Sequence, residues 1–200
     1  MKLDLDLVHD LQAVYRKTLD SMSRPGLINN ITNQADKVNM EMSCYNSTFV
    51  LMLMLFDTEV KFKVFSEREA EMAKLINELT YAKTTEVESA EYILVLNDAK
   101  PEGLEKAFRM AYPGDLLNPH KAATMILEAD SMSNDRALIL TGPGIEKECS
   151  INVKTTDRWV ELRAQKNLEY PLGIDLIFTD RDDNILCIPR TTQITKQVVG

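Results

Sequence analysis

The residues best suited to chemistry in this 200-residue chain gather near its C-terminal end. Ile188-Pro189-Arg190-Thr191-Thr192 places a guanidinium and two hydroxyls directly after an apolar run closed by proline. A guanidinium fork donates paired hydrogen bonds to phosphate or carboxylate, and neighbouring hydroxyls add donors. Arg190, Thr191 and Thr192 therefore form a candidate anion grip. Asp175 opens a second apolar run, PLGIDLIF. A carboxylate there must be paired, hydrogen-bonded or turned toward a pocket, so it is either a structural anchor or a pocket acid. The two readings meet: Arg190 holds an anion, or it pairs with Asp175 or another buried acid. Arg16 and Arg24, with Ser21 and Ser23, surround the end of an N-terminal helix. They offer a further anion contact or a solvated helix end, and Arg16 joins the candidate set.

Other chemistries lack their residues. His9 and His120 are the two histidines, and neither stands beside a second metal-type ligand at helical spacing. A general base or metal ligand needs such a neighbour, so no catalytic residue and no metal site is assigned. There is no G-x-S-x-G nucleophile elbow. Thr141-Gly142-Pro143-Gly144 follows a strand, where phosphate loops often sit, but it is not G-x-G-x-x-G and Pro143 removes one N–H. It reads as a tight turn whose glycines take positive φ. Cys44, Cys149 and Cys187 are odd in number and widely spaced, which points to buried thiols rather than disulfides or zinc.

Composition narrows the class. Hydrophobic residues are 44% and charged residues 27%, with a net charge of −8, which argues against nucleic acid as a partner but leaves room for a local arginine cluster. The acidic start MKLDLDLVHD does not resemble a secretion signal. The longest apolar run, Phe49 to Phe56, is far short of the roughly 18 residues a membrane helix needs. A cytoplasmic protein without a membrane contact is expected.

The elements that must position these groups follow from periodicity. Residues 7–24 read as a helix with Val8, Leu11, Tyr15, Leu19 and Met22 on its buried face, stopped at Pro25-Gly26. A short extended piece, Leu27 to Ile31, follows. Residues 43–57 read as a buried helix capped by Ser43 or Asn46, with Met52 and Met54 in core or interface. Lys61 to Phe65 alternates as a strand, and Ser66 with Glu69 matches a capping box for the next helix. Glu91 to Leu96 reads as a strand buried on both faces, and 102–111 as a helix. Ala122–Ala129 and Ala137–Thr141 read as strands joined by the polar turn DSMSND, and Cys149–Val153 as a weaker strand. Residues 156–166 look helical around Trp159 and Leu162. Ile174–Thr179 and Ile185–Ile188 form a hairpin across DRDDN, and Thr192–Val198 an edge strand or arm. Alternating helices and strands imply one α/β domain over 1–200, built on a mixed sheet with helices on its faces.

Three blocks add an identity. YRKTLDSMSRPGLI (15–28), LILTGPGI (138–145) and YPLGIDLIFTDRDDNILCIPRTT (170–192) resemble, in order and spacing, the PhnH family, the H subunit of the bacterial carbon–phosphorus lyase core complex. The likeness covers about a quarter of the chain directly; Thr18 and Asp20 depart from the family's first block without touching chemistry. The resemblance implies a three-layer fold like the large domain of pyridoxal-phosphate-dependent transferases, without the cofactor site. No lysine here stands in a pocket-like context for a Schiff base. It further implies a homodimer that joins G, I and J subunits and supports formation of alpha-D-ribose 1-methylphosphonate 5-triphosphate from ATP and methylphosphonate. The subunit itself would be structural or ligand-placing. The complex would use ATP and Mg2+, with the iron–sulfur cluster on another subunit. The competing reading is a stand-alone transferase or hydrolase acting on a small phosphorylated substrate.

Overall fold

Strict alternation along the central strands divides the interior into two cores, one on each face of a seven-stranded sheet. The computed structural model describes residues 2–39, 42–155 and 158–196. In chain order the elements are β1 (Lys2–Leu3), α1 (His9–Ser23), β2 (Ile28–Asn30), α2 (Thr32–Ala35), β3 (Val38–Asn39), α3 (Asn46–Leu55), β4 (Lys61–Phe65), α4 (Glu69–Thr80), β5 (Lys83–Thr84), β6 (Tyr92–Val95), α5 (Pro101–Met110), β7 (Thr124–Glu128), β8 (Ser131–Thr141), β9 (Cys149–Lys154), α6 (Trp159–Lys166), β10 (Asp175–Thr179), β11 (Asn184–Ile188) and β12 (Gln193–Lys196). No helix among the described residues is long and apolar enough to cross a membrane.

The main sheet runs β2-β11-β10-β7-β6-β4-β5. β10, β7, β6, β4 and β5 are parallel; β11 runs antiparallel to β10, and the edge strand β2 runs antiparallel to β11, back in the direction of β10. The sheet is therefore mixed, as the alternation of elements implies, and the chain is a single α/β domain. On β7, Met125 and Leu127 face one core and Ile126 the other; on β10, Leu176 and Phe178 oppose Ile177. Helices α1, α3 and α4 cover the face holding Ile126 and Ile177. Helices α5 and α6 cover the opposite face, where Trp159 packs edge-on against Phe178 at a centroid distance of 4.9 Å. Burying each such side chain contributes about 1.5–3 kcal/mol.

Four expectations need correction. DSMSND is not a turn. Ser131 begins the eleven-residue strand β8, which bulges between Ser133 and Leu138 and pairs with β9 and β12 in a separate antiparallel sheet. The Asp180 carboxylate accepts the Met132 N–H at 3.1 Å and so fixes the start of that strand. Helix α1 is turned by about one residue, roughly 100°. It buries Asp10, Val14, Thr18 and Ser21 and leaves Val8, Tyr15 and Leu19 more than half exposed. The buried polar groups are satisfied locally: Lys37 donates to Asp10 at 2.7 Å, the Thr18 hydroxyl to Val14 O at 2.9 Å, and Asn29 to Ser21 at 2.9 Å. The Ser66 capping box does not form. Ser66 accepts the Arg68 N–H and donates to Asp98, while Glu69 accepts from Lys63. Helix α3 starts from Tyr45 with no side-chain cap, so neither Ser43 nor Asn46 caps it.

Along α3, Met52 is fully buried and Met54 half-buried. The expected strand after Thr192 is β12, at the edge of the small sheet; its continuation to Val198 and the start of the helix at 156 lie outside the described residues.

Candidate functional site

Segments more than a hundred residues apart meet at one corner of the domain, and glycine makes the contacts possible. Gly144 has φ +82°, and a Cβ there would fall 2.2 Å from the Ser23 carbonyl oxygen and 2.9 Å from Pro25 Cδ. Gly26, at φ +96°, would meet Cys149 Sγ at 2.4 Å. Gly142 has φ +131° and lies against the Thr191 carbonyl. The Thr141–Ile145 turn is thus wedged between the end of α1 and the Pro189–Thr192 turn, with its glycines at the positive φ that the sequence suggests.

Asp175 and Arg190 hold the second side of this corner. Asp175 Oδ1 accepts the Arg190 backbone N–H at 2.7 Å and Nε at 3.3 Å, and Oδ2 accepts Nη2 at 2.5 Å. Arg190 Nη1 donates to the Pro119 carbonyl at 2.6 Å. The two side chains are 16% and 20% exposed. Of the alternatives for Arg190, pairing with Asp175 is present, and two of its five N–H groups stay uncommitted. Nothing in this geometry forbids an anion beside Arg190, but the fork that would grip one bidentately is already filled.

Helix α6 holds the turn from the other side through residues one helical turn apart. Arg163 Nη2 donates to Pro189 O at 2.6 Å and to Thr192 O at 3.0 Å. Asn167 donates to Ile174 O at 3.1 Å and accepts the Ile174 N–H at 2.9 Å, packed over Gly173 at φ +134°. Arg163 is 4% exposed and forms no ion pair among the described residues. Burial pushes its guanidinium down to about 10, opposed by the Asp175 charge nearby. Its Nε and the hydroxyl of Thr192, itself 1% exposed, are buried with no partner among the described residues.

Between α6 and the turn opens a cleft of about 570 Å³, lined by Arg163, Asn167, Tyr170, Arg190, Thr191 and Thr192 among others. A second cleft of about 610 Å³ adjoins it, sharing Arg190, Thr191, Pro143 and Tyr170 and reaching Met22, His120 and Asp175. Arg190, Thr191, Thr192 and Asp175 are therefore brought together. Arg16 is not: it is exposed on α1 and lines neither cleft. Ser21 is buried against Asn29, and Arg24 pairs with Asp20, so that helix end is engaged within the fold. Arg163 and Asn167 escaped the sequence reading. Their one signal was spacing, since Arg163 falls four residues after Trp159, on the face that a buried tryptophan marks.

A second polar cluster sits at the carboxyl ends of β6, β7 and β10, the edge where open α/β sheets commonly bind ligands. Glu128 is 7% exposed and accepts from Tyr45 N and Thr48 Oγ1, both at 2.6 Å, and from Asn97 N at 2.9 Å. Burial nevertheless raises its carboxyl to about 7. The start of α3 occupies this edge through its bonds to Glu128, and beside it, toward the start of α5, is a small pocket of about 40 Å³. Cys44 and Cys187 are buried free thiols pushed up by desolvation, and Cys149 is half-buried beneath Gly26.

Comparison with known proteins adds what geometry alone does not. The family described as "Bacterial phosphonate metabolism protein (PhnH)" matches residues 4–195. The chain is 27% identical over 194 residues to the "Alpha-D-ribose 1-methylphosphonate 5-triphosphate synthase subunit PhnH" of Rhizobium meliloti (strain 1021), covering 96% of this chain and 94% of that protein. It is 32% identical over 113 residues to the "Putative C-P lyase subunit protein HtxG" of Stutzerimonas stutzeri; that match spans 56% of this chain and about half, 54%, of HtxG.

Proposed function

The chain belongs to the PhnH family of bacterial phosphonate metabolism proteins, and from that premise we propose that it is a subunit of a carbon–phosphorus lyase complex in organic phosphonate catabolism. In that role it supports formation of alpha-D-ribose 1-methylphosphonate 5-triphosphate from ATP and methylphosphonate and performs no chemistry alone. The observation that carries this reading is the match over residues 4–195, with a synthase subunit aligned along 96% of the chain.

The partners in this reading are a second copy of the chain and the G, I and J subunits, in the cytoplasm, without nucleic acid. Val8, Tyr15 and Leu19, exposed along one side of α1, support a docking role for that helix. The likeness to the large domain of pyridoxal-phosphate-dependent transferases is part of the proposal, supported by the largely parallel seven-stranded sheet with helices on both faces. The filled edge around Glu128 supports the absence of a bound cofactor in this subunit.

Turnover of ATP with methylphosphonate, measured for the chain alone and with G and I subunits, tests the proposal. Product should appear only in the mixture and should fall when the chain is omitted. Turnover by the chain alone would establish the stand-alone transferase or hydrolase instead.

A further inference from the structure

We infer that the cleft between α6 and the Pro189–Thr192 turn receives the oxyanion head of a small phosphonate or phosphate ester, and that Arg163, rather than Arg190, supplies the charge that holds it. The choice of phosphonate rests on the proposed function; the anion grip rests on the geometry.

Two arginines line the cleft, and no carboxylate does among the described residues. Arg190 is neutralised by Asp175 through two side-chain contacts. Arg163 has no such partner. It is 4% exposed, and among the described residues its acceptors are two uncharged carbonyls and its Nε has none. Asp175 acts on it only from a distance and is itself paired with Arg190, and a buried cation with no direct ion pair is a liability to the fold unless something negative reaches it. The Thr192 hydroxyl, also buried and unpartnered, belongs to the same wall. An anion on the floor of the cleft lies beside both groups and adds the negative charge that Asp175 supplies only in part.

Size and lining fit the rest of such a molecule. About 570 Å³ falls in the range of small-molecule pockets. Leu168 and Tyr170 stand at its walls 82% and 79% exposed, apolar surface that the body of an organic anion would cover. The net charge of −8 repels anions at a distance, so capture here is local and short-ranged.

Calorimetric titration of the purified full chain with methylphosphonate, inorganic phosphate and ATP tests the inference. Methylphosphonate and phosphate should compete for one site, and ATP binding shows whether the cleft also admits a nucleotide phosphate. Because Arg163→Gln removes two turn contacts as well as the charge, the decisive variant is Ala164→Glu. This exposed position lines the cleft, so a carboxylate there should weaken binding at least tenfold while circular dichroism stays unchanged. Thr192→Val should weaken it severalfold. No saturable heat from any of the three up to about 10 mM, or equal affinity in Ala164→Glu and the parent, would overturn the inference. A chain that assembles with its partners yet binds no anion defeats this inference alone; one that binds but never assembles defeats the subunit reading alone.

Discussion

Replacing Asp175 by asparagine removes the charge that holds Arg190 while changing little volume. The carboxylate accepts three hydrogen bonds from Arg190, at 2.7, 3.3 and 2.5 Å, and the two side chains are 20% and 16% exposed. Breaking a fully buried pair costs about 3–5 kcal/mol, whereas an exposed pair is worth about 0–1 kcal/mol. At this depth the expected loss is about 2–3 kcal/mol. For a chain of this length that lowers Tm by about 4–12 °C. Urea unfolding should show a lower midpoint with an unchanged slope. The double variant Asp175→Asn/Arg190→Gln should cost less than the sum of the singles by about 1 kcal/mol or more. A single variant within about 0.5 kcal/mol of the parent, or strict additivity, would refute the clamp. It follows that Arg190→Ala is a poor test of ligand binding, because it also releases the Pro119 loop.

Three further outcomes follow from the same geometry. Gly144→Ala meets the Ser23 carbonyl at 2.2 Å from a positive φ, so thermal melting should show a loss of about 2 kcal/mol or more, and a parent-like Tm would contradict the wedge between α1 and the Thr141–Ile145 turn. Glu128 titrates near 4.5 when unfolded and near 7 in the fold, so within that window the folded state binds more proton and stability falls as pH rises. Unfolding free energies from urea titrations between pH 4.5 and 8 should therefore decline by about 3 kcal/mol at most from this group, and Glu128→Gln should flatten that decline; parallel profiles would place the dependence elsewhere. Leu19→Asp alters an exposed residue and should leave the unfolding free energy within about 0.5 kcal/mol of the parent, while reducing recovery of the chain in the complex; full recovery would remove α1 from the docking surface.

The central strands were legible because their environment is uniform. Glu91–Leu96 is nearly continuous in apolar residues, and β6 is buried on both faces between parallel neighbours. The hairpin across DRDDN was legible from its acidic turn between two apolar runs, and β10 and β11 pair as it implies. Helix α1 was half legible: a 3.6-residue period finds its faces, but Val14, Thr18 and Ser21 make the inner one as small and polar as an outer one. The first half of β8 was lost because Ser, Asn and Asp mimic a turn, while the Asp180 contact that orders it comes from 48 residues away. At the candidate site, Arg190 and Asp175 carried a local signal, each beside an apolar run. Arg163 carried almost none, since its meaning comes from burial against a turn 26 residues later. The contact between Ser23 and Gly144 spans the chain and leaves no local pattern beyond its two glycine-containing turns.

The most direct test of the subunit assignment is the mass of what co-purifies with the tagged chain from phosphate-starved cells supplied with methylphosphonate. A subunit of this kind should be recovered in a stable assembly containing other identified carbon–phosphorus lyase subunits in fixed ratio to this chain. Recovery of the chain alone, as a free species from cells that make those subunits, would contradict it.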